Sequence, residues 1–336
     1  MKKHFAPSEY HFNYLKTIKP EASFRTGEDP YVWQKKLRLR LEEMLGGFPV
    51  RTPLKAETVE KKILPGCIRE KIVFQSEPFA DVPAYLLIPA KISPPFPVII
   101  CLQGHSPGMH ISIGQASNKE EEELIAGDRD LAIQAIENNY AALVIEQRCF
   151  GERRETKQKE KAPHGCQDAA MHSLLLGKTL VGERVWDVIR GIDYLKTRKE
   201  IDGRRIACTG NSGGGTVTFF TACVDERIKV AVPSCYYCSY RDSLMQIYHC
   251  TDNYLPGILK VADMGDLAGL IAPRPLIILA GETDPIFPVA GVKKAFRQTK
   301  KIYQAFKADR QLHLLVGKEG HRFYAKLAWP KIRKFL

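Results

Sequence analysis

Short continuous apolar runs alternate with helix-spaced apolar positions along most of this chain. Residues 97–102 (Pro-Val-Ile-Ile-Cys-Leu) are such a run, and 141–146, 228–233 and 275–280, apolar but for Glu146 and Lys229, read as strands of the same kind. A strand covered on both faces requires this pattern, because neither of its two rows of side chains meets water. Between and after them, residues 127–138, 167–178, 182–199 and 292–303 read as helices. In the third, Trp186, Ile189, Ile192 and Leu195 supply one apolar face. Strands alternating with helices predict an α/β fold built on a doubly wound, mostly parallel sheet. Residues 68–74 and 83–88 flank a polar turn and predict an antiparallel hairpin at the sheet edge. Residues 311–316 read as the last strand, with Gly320-His321 opening a C-terminal helix.

Two segments fall outside the alternation. Near the N-terminus, Asp29-Pro30 is a helix-start signal, and Trp33, Leu37, Leu41, Met44 and Leu45 recur at helical spacing until Gly46-Gly47. Residues 1–65 are therefore read as a helical extension packed on a single main body of residues 66–336. Residues 234–270, rich in Cys and Tyr, carry no periodicity that assigns elements to them.

The chemistry is concentrated at strand ends. The run Arg205-Ile-Ala-Cys-Thr leads into Gly210-Asn211-Ser212-Gly213-Gly214, followed by a small-residue helix pattern. A serine on a sharp strand-to-helix turn needs neighbours two residues away that are nearly free of side chain, and Gly210 and Gly214 meet that need. A serine hydroxyl is a weak nucleophile unless a base, itself oriented by an acid, takes its proton. Asp284, in Gly281-Glu-Thr-Asp-Pro, and His321, after Gly320, each follow an expected strand, and a parallel sheet gathers such strand ends at one edge. Glu282 is the nearest substitute acid. The oxyanion of such a reaction needs two main-chain donors. Gly213, just after the serine, is read as one. His105 in Gln103-Gly-His-Ser is read as the other, with Gly104 and Ser106 as alternatives. Arg148 follows the 141–146 strand, and Trp186-Asp187 is placed at the opening of the helix before the serine. An arginine pairs with a carboxylate through two bonds and stacks on an indole, so these three are read as support for the site, with direct substrate contact by Arg148 as the other reading.

Gln103-Gly104-His105, Arg148 with Gly151, Gly210-Asn-Ser-Gly-Gly214, Gly281-Glu-Thr-Asp284 and Gly320-His321 together resemble the α/β-hydrolase superfamily. Within it, residues 65–336 look most like the dienelactone-hydrolase-related and acetyl xylan esterase (cephalosporin C deacetylase) branch. That resemblance implies a cofactor-free Ser212-His321-Asp284 hydrolase, with a small-molecule ester as partner and acylated saccharides among the candidates. The carbohydrate esterases of the branch carry Arg-Gly-Gln, Gly-x-Ser-Gln-Gly and His-Glu where this chain has Arg148-Cys-Phe150, Gly210-Asn-Ser-Gly-Gly214 and His321-Arg322. These departures bear directly on acetylated sugar as substrate. Dienelactone hydrolases use a cysteine nucleophile, which Ser212 does not match.

Composition changes this picture little. A net charge of +12 (50 basic, 38 acidic residues) is spread along the chain without a nucleic-acid motif, so no nucleic-acid partner is expected. Neither a secretory signal nor a membrane-length apolar run is visible. Nine cysteines without framework spacing fit reduced thiols and a cytoplasmic protein. Cys235-Tyr-Tyr-Cys238 with His249-Cys250 lacks zinc-finger spacing and is read as buried thiols, so no metal is expected. Three functional readings remain at this stage: a serine ester hydrolase, a serine peptidase of the prolyl-oligopeptidase type, and a non-catalytic binding protein on the same fold.

Overall fold

The computed structural model describes residues 5–105, 107–154 and 165–336. Helices α1 (Pro7–Leu15) and α2 (Pro30–Met44) lead into strands β1 (Glu57–Leu64), β2 (Cys67–Glu77), β3 (Ala80–Pro89) and β4 (Phe96–Leu102). Helices α3 (Lys119–Leu124) and α4 (Leu131–Glu137), strand β5 (Ala141–Ile145) and helices α5 (Cys166–Leu175) and α6 (Leu180–Leu195) follow. Next come β6 (Ile201–Asn211), α7 (Gly213–Val224) and β7 (Ile228–Ser234), then the short helices α8 (Ile258–Val261) and α9 (Met264–Leu267). The chain ends with β8 (Leu276–Gly281), α10 (Val289–Ala305), β9 (Leu312–Gly317) and α11 (Ala325–Phe335).

Among the described residues, nine strands form one sheet in the order β1-β2-β3-β5-β4-β6-β7-β8-β9. The pairs from β1 to β5 are antiparallel, and every pair from β5 to β9 is parallel. The apolar runs explain the two layers of core. In β4, Val98, Ile100 and Leu102 point to one face and Ile99 and Cys101 to the other. β5 divides in the same way into Leu143 and Ile145 against Ala142 and Val144. One face is covered by α2, α6, α7 and α10, through Leu37, Leu41, Val185, Ile192, Phe219 and Val292 among others. The opposite face is covered by α4 and α11, through Leu131, Ala135, Trp329 and Ile332.

The N-terminal helix forms for the expected reasons. Asp29 caps it, its carboxylate accepting from the N–H groups of Tyr31 (2.8 Å) and Val32 (3.1 Å), with Pro30 in the first turn. Gln34 and Arg38 then bind main-chain carbonyls at Ala272 (2.6 Å) and Cys223 (3.0 Å), which fastens α2 to the ends of distant elements.

Several expectations are corrected. β1 lies ahead of residue 66 and pairs with β2, so the sheet begins inside the segment read as a helical extension. Its Glu-Thr-Val-Glu-Lys-Lys-Ile-Leu sequence is mostly exposed and carries no buried row to betray it. The 127–138 helix is interrupted: Asp128 adopts φ 58°, and α4 starts only at Leu131. Trp186 and Asp187 sit in the middle of α6 rather than at its opening. His321 lies in a turn ahead of α11, which begins at Ala325, and so does not open that helix. After Ser234, the end of β7, the segment to residue 270 folds as turns, 3-10 turns at Tyr240–Asp242, Thr251–Asn253 and Ala268–Leu270, and the short helices α8 and α9.

Candidate active site

Ser212 stands between β6 and α7 with φ 56° and ψ −120°, a left-handed conformation that costs energy for any residue with a side chain. The turn is locked by its own backbone. Ser212 N–H donates to the Ser234 carbonyl (2.9 Å), and Thr216 N–H donates to the Ser212 carbonyl (2.9 Å). The glycines are needed for space. A Cβ on Gly210 would lie 2.5 Å from the Gly214 carbonyl carbon and 2.5 Å from the Leu102 carbonyl oxygen, and one on Gly214 would overlap that same oxygen.

The sheet edge brings the other site residues to this turn. His321 Nδ1 and Asp284 Oδ2 are 2.8 Å apart. The second oxygen of Asp284 accepts from the N–H groups of Ile286 (2.8 Å) and Phe287 (3.2 Å), which fixes the carboxylate. Burial alone would raise its pKa, but these bonds and the imidazole hold it below the usual carboxylate value. The Phe287 ring stacks on His321 at 5.9 Å. Ser212, Gly213, His105 and His321 all line one pocket of about 300 Å³, whose lining also includes Arg129, Tyr248 and His249.

His105 serves this pocket in two ways. Its main-chain nitrogen is 3.8 Å from the position a Cβ would take on Gly213, so the two expected donors are neighbours. Gly104 stands where a Cβ would press on the Asn211 carbonyl at 2.7 Å. Ser106, the third alternative, lies outside the described residues. The His105 imidazole packs beside Gly213, with Nδ1 and Cε1 each 3.2 Å from a Cβ placed there, and its Nε2 meets Asp252 Oδ2 at 3.0 Å. Burial opposes its charged form, yet the Asp252 carboxylate overrides this and raises the pKa to about 9. Asp252 also receives Arg184 at 2.5 Å and Asn253 Nδ2 at 3.0 Å, and Asn253 is bound by Thr216 of α7 at 2.9 Å. The unassigned 234–270 segment thus anchors the loop after β4.

Arg148 is saturated by carboxylates. It forms a fork on Asp187 (3.0 and 3.1 Å) and reaches Glu183 (3.0 Å) and Glu77 (2.7 Å), while Arg153 adds a bond to Asp187 (2.6 Å). The expected stacking on Trp186 is made by other cations, since Arg51 and Arg190 lie over that indole, each 5.9 Å from its centroid. Trp186 Nε1 donates to the Ser76 carbonyl (3.0 Å).

Four further residues shape the site, three of them not singled out from sequence and one, His249, weighed there only as a metal ligand. Glu146, fully buried, accepts from Gln103 Nε2 (2.9 Å) and from Met109 N–H (3.0 Å), and so holds the loop that carries His105. Burial pushes its pKa up to about 7. His249 lies against Phe287 and binds Ser243 Oγ (3.0 Å), with burial lowering its pKa to about 4. Asp252 and Arg129 complete the group. Asp252 lies in the segment left without assigned elements and Arg129 in one read as a helix, and only the fold brings them to the site.

The cysteine readings divide. Cys235 and Cys238 are buried and donate to the carbonyls of Arg322 (3.2 Å) and Pro288 (3.7 Å). His105, Cys166, Cys250 and Asp252 place one ligand-type atom each within 4.8 Å of one another, a donor set suited to a divalent metal. Arg184 already supplies positive charge there, with Nη2 3.3 Å from Cys166 Sγ. Cys235, Asp284 and His321 form a second such group. Among the described residues, no helix is long and apolar enough to cross a membrane.

Comparison with known proteins adds a frame. Residues 3–311 match the family model Abhydrolase_7, described as Abhydrolase family. YtaP of Bacillus subtilis is 28% identical over 295 residues, covering 84% of this chain and 92% of that protein. A Bacteroides fragilis protein assigned as an acetyl xylan esterase superposes with TM-score 0.84 at 18% identity, over 99% of this chain and 96% of its own. A glucuronoyl esterase from Solibacter usitatus superposes with TM-score 0.68 at 16% identity, over 94% and 97%. At such identities the structural likeness is one of fold.

Proposed function

The chain belongs to the Abhydrolase family, and from that premise we propose that it is a serine carboxylester hydrolase working through Ser212, His321 and Asp284. The observation that carries the reading is the 2.8 Å contact between His321 Nδ1 and Asp284, with Ser212 on the wall of the same pocket. Asp284 fixes the imidazole tautomer, which leaves Nε2 to take the Ser212 proton as Oγ attacks the ester carbonyl. The tetrahedral oxyanion accepts from the main-chain N–H groups of Gly213 and His105, aided by the N-terminus of α7. His321 returns the proton to the leaving alcohol, and water then hydrolyses the acyl-enzyme by the same route.

The pocket of about 300 Å³ suits a short acyl group, so acetyl-type esters are the expected substrates. Esters of carbohydrates stand first among them, a reading supported by the names of the structural relatives. Arg148, Asp187 and Trp186 are read as support, because every donor face of Arg148 is committed to carboxylates. Residues 1–65 are read as an extension that stabilises the catalytic body through α2, with β1 completing the sheet edge.

The test is hydrolysis of p-nitrophenyl acetate, butyrate and octanoate by wild type beside Ser212→Ala. The expected result is a rate that falls with acyl length and drops by roughly 10⁶ in kcat without the hydroxyl. Equal turnover by the variant, or none of any ester by wild type, overturns the proposal.

A further inference from the structure

Arginines near this pocket fall into two kinds. Arg148 and Arg184 are each neutralised by carboxylates, the first by Glu77, Glu183 and Asp187, the second by Asp252. Arg129 is not. It lines the pocket with Ser212 and His321, yet among the described residues it makes no ion pair. Its Nη2 donates to the His321 carbonyl at 3.3 Å, and its Nε is buried without a hydrogen-bond partner.

The local chain makes this arrangement specific. Asp128 and Asp130 flank Arg129 and are the obvious partners for it. Asp128 is instead paired with Arg322 (3.2 Å) and accepts from Ala325 N–H (3.2 Å), while Asp130 Oδ1 accepts from Gln134 (2.5 Å). The positive φ of Asp128, 58°, breaks the helix just ahead of Arg129 and frees it from the helical path. Burial lowers the pKa of Arg129, and no carboxylate acts to restore it. A guanidinium kept in a half-buried cleft without an anion is costly, and such a group is retained where an incoming anion completes it.

We propose that Arg129 is a substrate-recognition residue and that the natural ester carries a carboxylate, which the guanidinium receives beside the scissile bond. The proposal rests on the ester-hydrolase reading above and adds the substrate class. A planar guanidinium with free N–H groups matches a carboxylate in geometry as well as charge. The negative group belongs either to the acyl part, as in a half-ester of a dicarboxylic acid, or to the alcohol part, as in an acylated hydroxy acid or sugar acid.

Two matched pairs of esters separate these sources. For the acyl side, mono-p-nitrophenyl glutarate is compared with p-nitrophenyl valerate. For the alcohol side, p-acetoxybenzoate is compared with its methyl ester. Wild type is expected to favour the anionic member of one pair by about ten-fold or more in kcat/KM, the scale of one charged hydrogen bond. Arg129→Met brings that ratio to about one, mainly through KM, and Arg129→Lys retains part of it. A ratio near or below one in both pairs for wild type, or a preference that survives Arg129→Met, overturns the inference. Should no ester be turned over, the hydrolase reading fails by itself, and calorimetric titration with glutarate and with p-hydroxybenzoate decides the anion site. Saturable binding that Arg129→Met removes sustains it, and absence of binding to wild type overturns it.

Discussion

At the scale of single residues, the site depends on a charged pair that does no chemistry. His105 has its pKa raised from an ordinary 6.5 to about 9 by Asp252. A raised pKa means that the folded protein holds this proton more tightly than the unfolded chain. The stabilisation is therefore complete below about pH 6.5 and is lost as pH rises through about 9. Thermal unfolding followed from neutral to alkaline pH should show a falling midpoint, and Asp252→Asn should remove that part of the fall. Glu146, raised to about 7, has the same sign at lower pH: its contribution is complete below about 4.5 and is lost as pH rises through about 7. Glu146→Gln should flatten the midpoint between about pH 5 and 7. Ser212, Asp284 and His321 were legible in the sequence because each follows an apolar strand with a glycine close by. Asp252 and Arg129 were not, because Cys250-Thr-Asp-Asn carries no periodicity, Asp128-Arg-Asp130 reads as part of a helix, and neither marks a polar group turned toward the site.

At the scale of elements, the turn between β6 and α7 leaves no room for a side chain at Gly210 or Gly214. A methyl on Gly214 would overlap the Leu102 carbonyl oxygen at the end of β4. Backbone cannot yield there as a flexible side chain would. Gly214→Ala should therefore cost about 2–3 kcal/mol of stability and most ester turnover, measured by denaturant unfolding and by initial rates. Helix α2 makes a different demand. Leu41 is fully buried among residues of the main core, so Leu41→Ala should destabilise by about 2–5 kcal/mol while the preference among ester substrates stays as in wild type. Helical periodicity and the Asp29-Pro30 start made α2 readable. β1 escaped because an exposed edge strand needs no apolar row, and the break before α4 escaped because a positive φ at an aspartate leaves no mark on periodicity.

At the scale of the whole molecule, parallel strands explain why residues scattered over more than two hundred positions meet. β4, β6, β8 and β9 run in one direction, and the loops leaving their C-terminal ends carry His105, Ser212, Asp284 and His321. The fold class was readable because buried strands and amphipathic helices alternate. The wall formed by residues 234–270 was not, since its turns take their shape from the body they cover. That wall supplies Asp252, His249 and Tyr248 to the site, and the loop after β4 is held from outside the sheet.

The central claim is that Ser212 is a nucleophile activated by His321. Diethyl p-nitrophenyl phosphate, which phosphorylates activated serines, tests this directly when the intact and digested protein is weighed by mass spectrometry. The account predicts a single diethylphosphoryl group on the peptide containing Ser212, formed in step with loss of ester hydrolysis. It also predicts no such group in Ser212→Ala and a much slower one in His321→Ala. An unmodified Ser212 in protein that has lost its activity, or modification as fast without His321 as with it, would contradict the account.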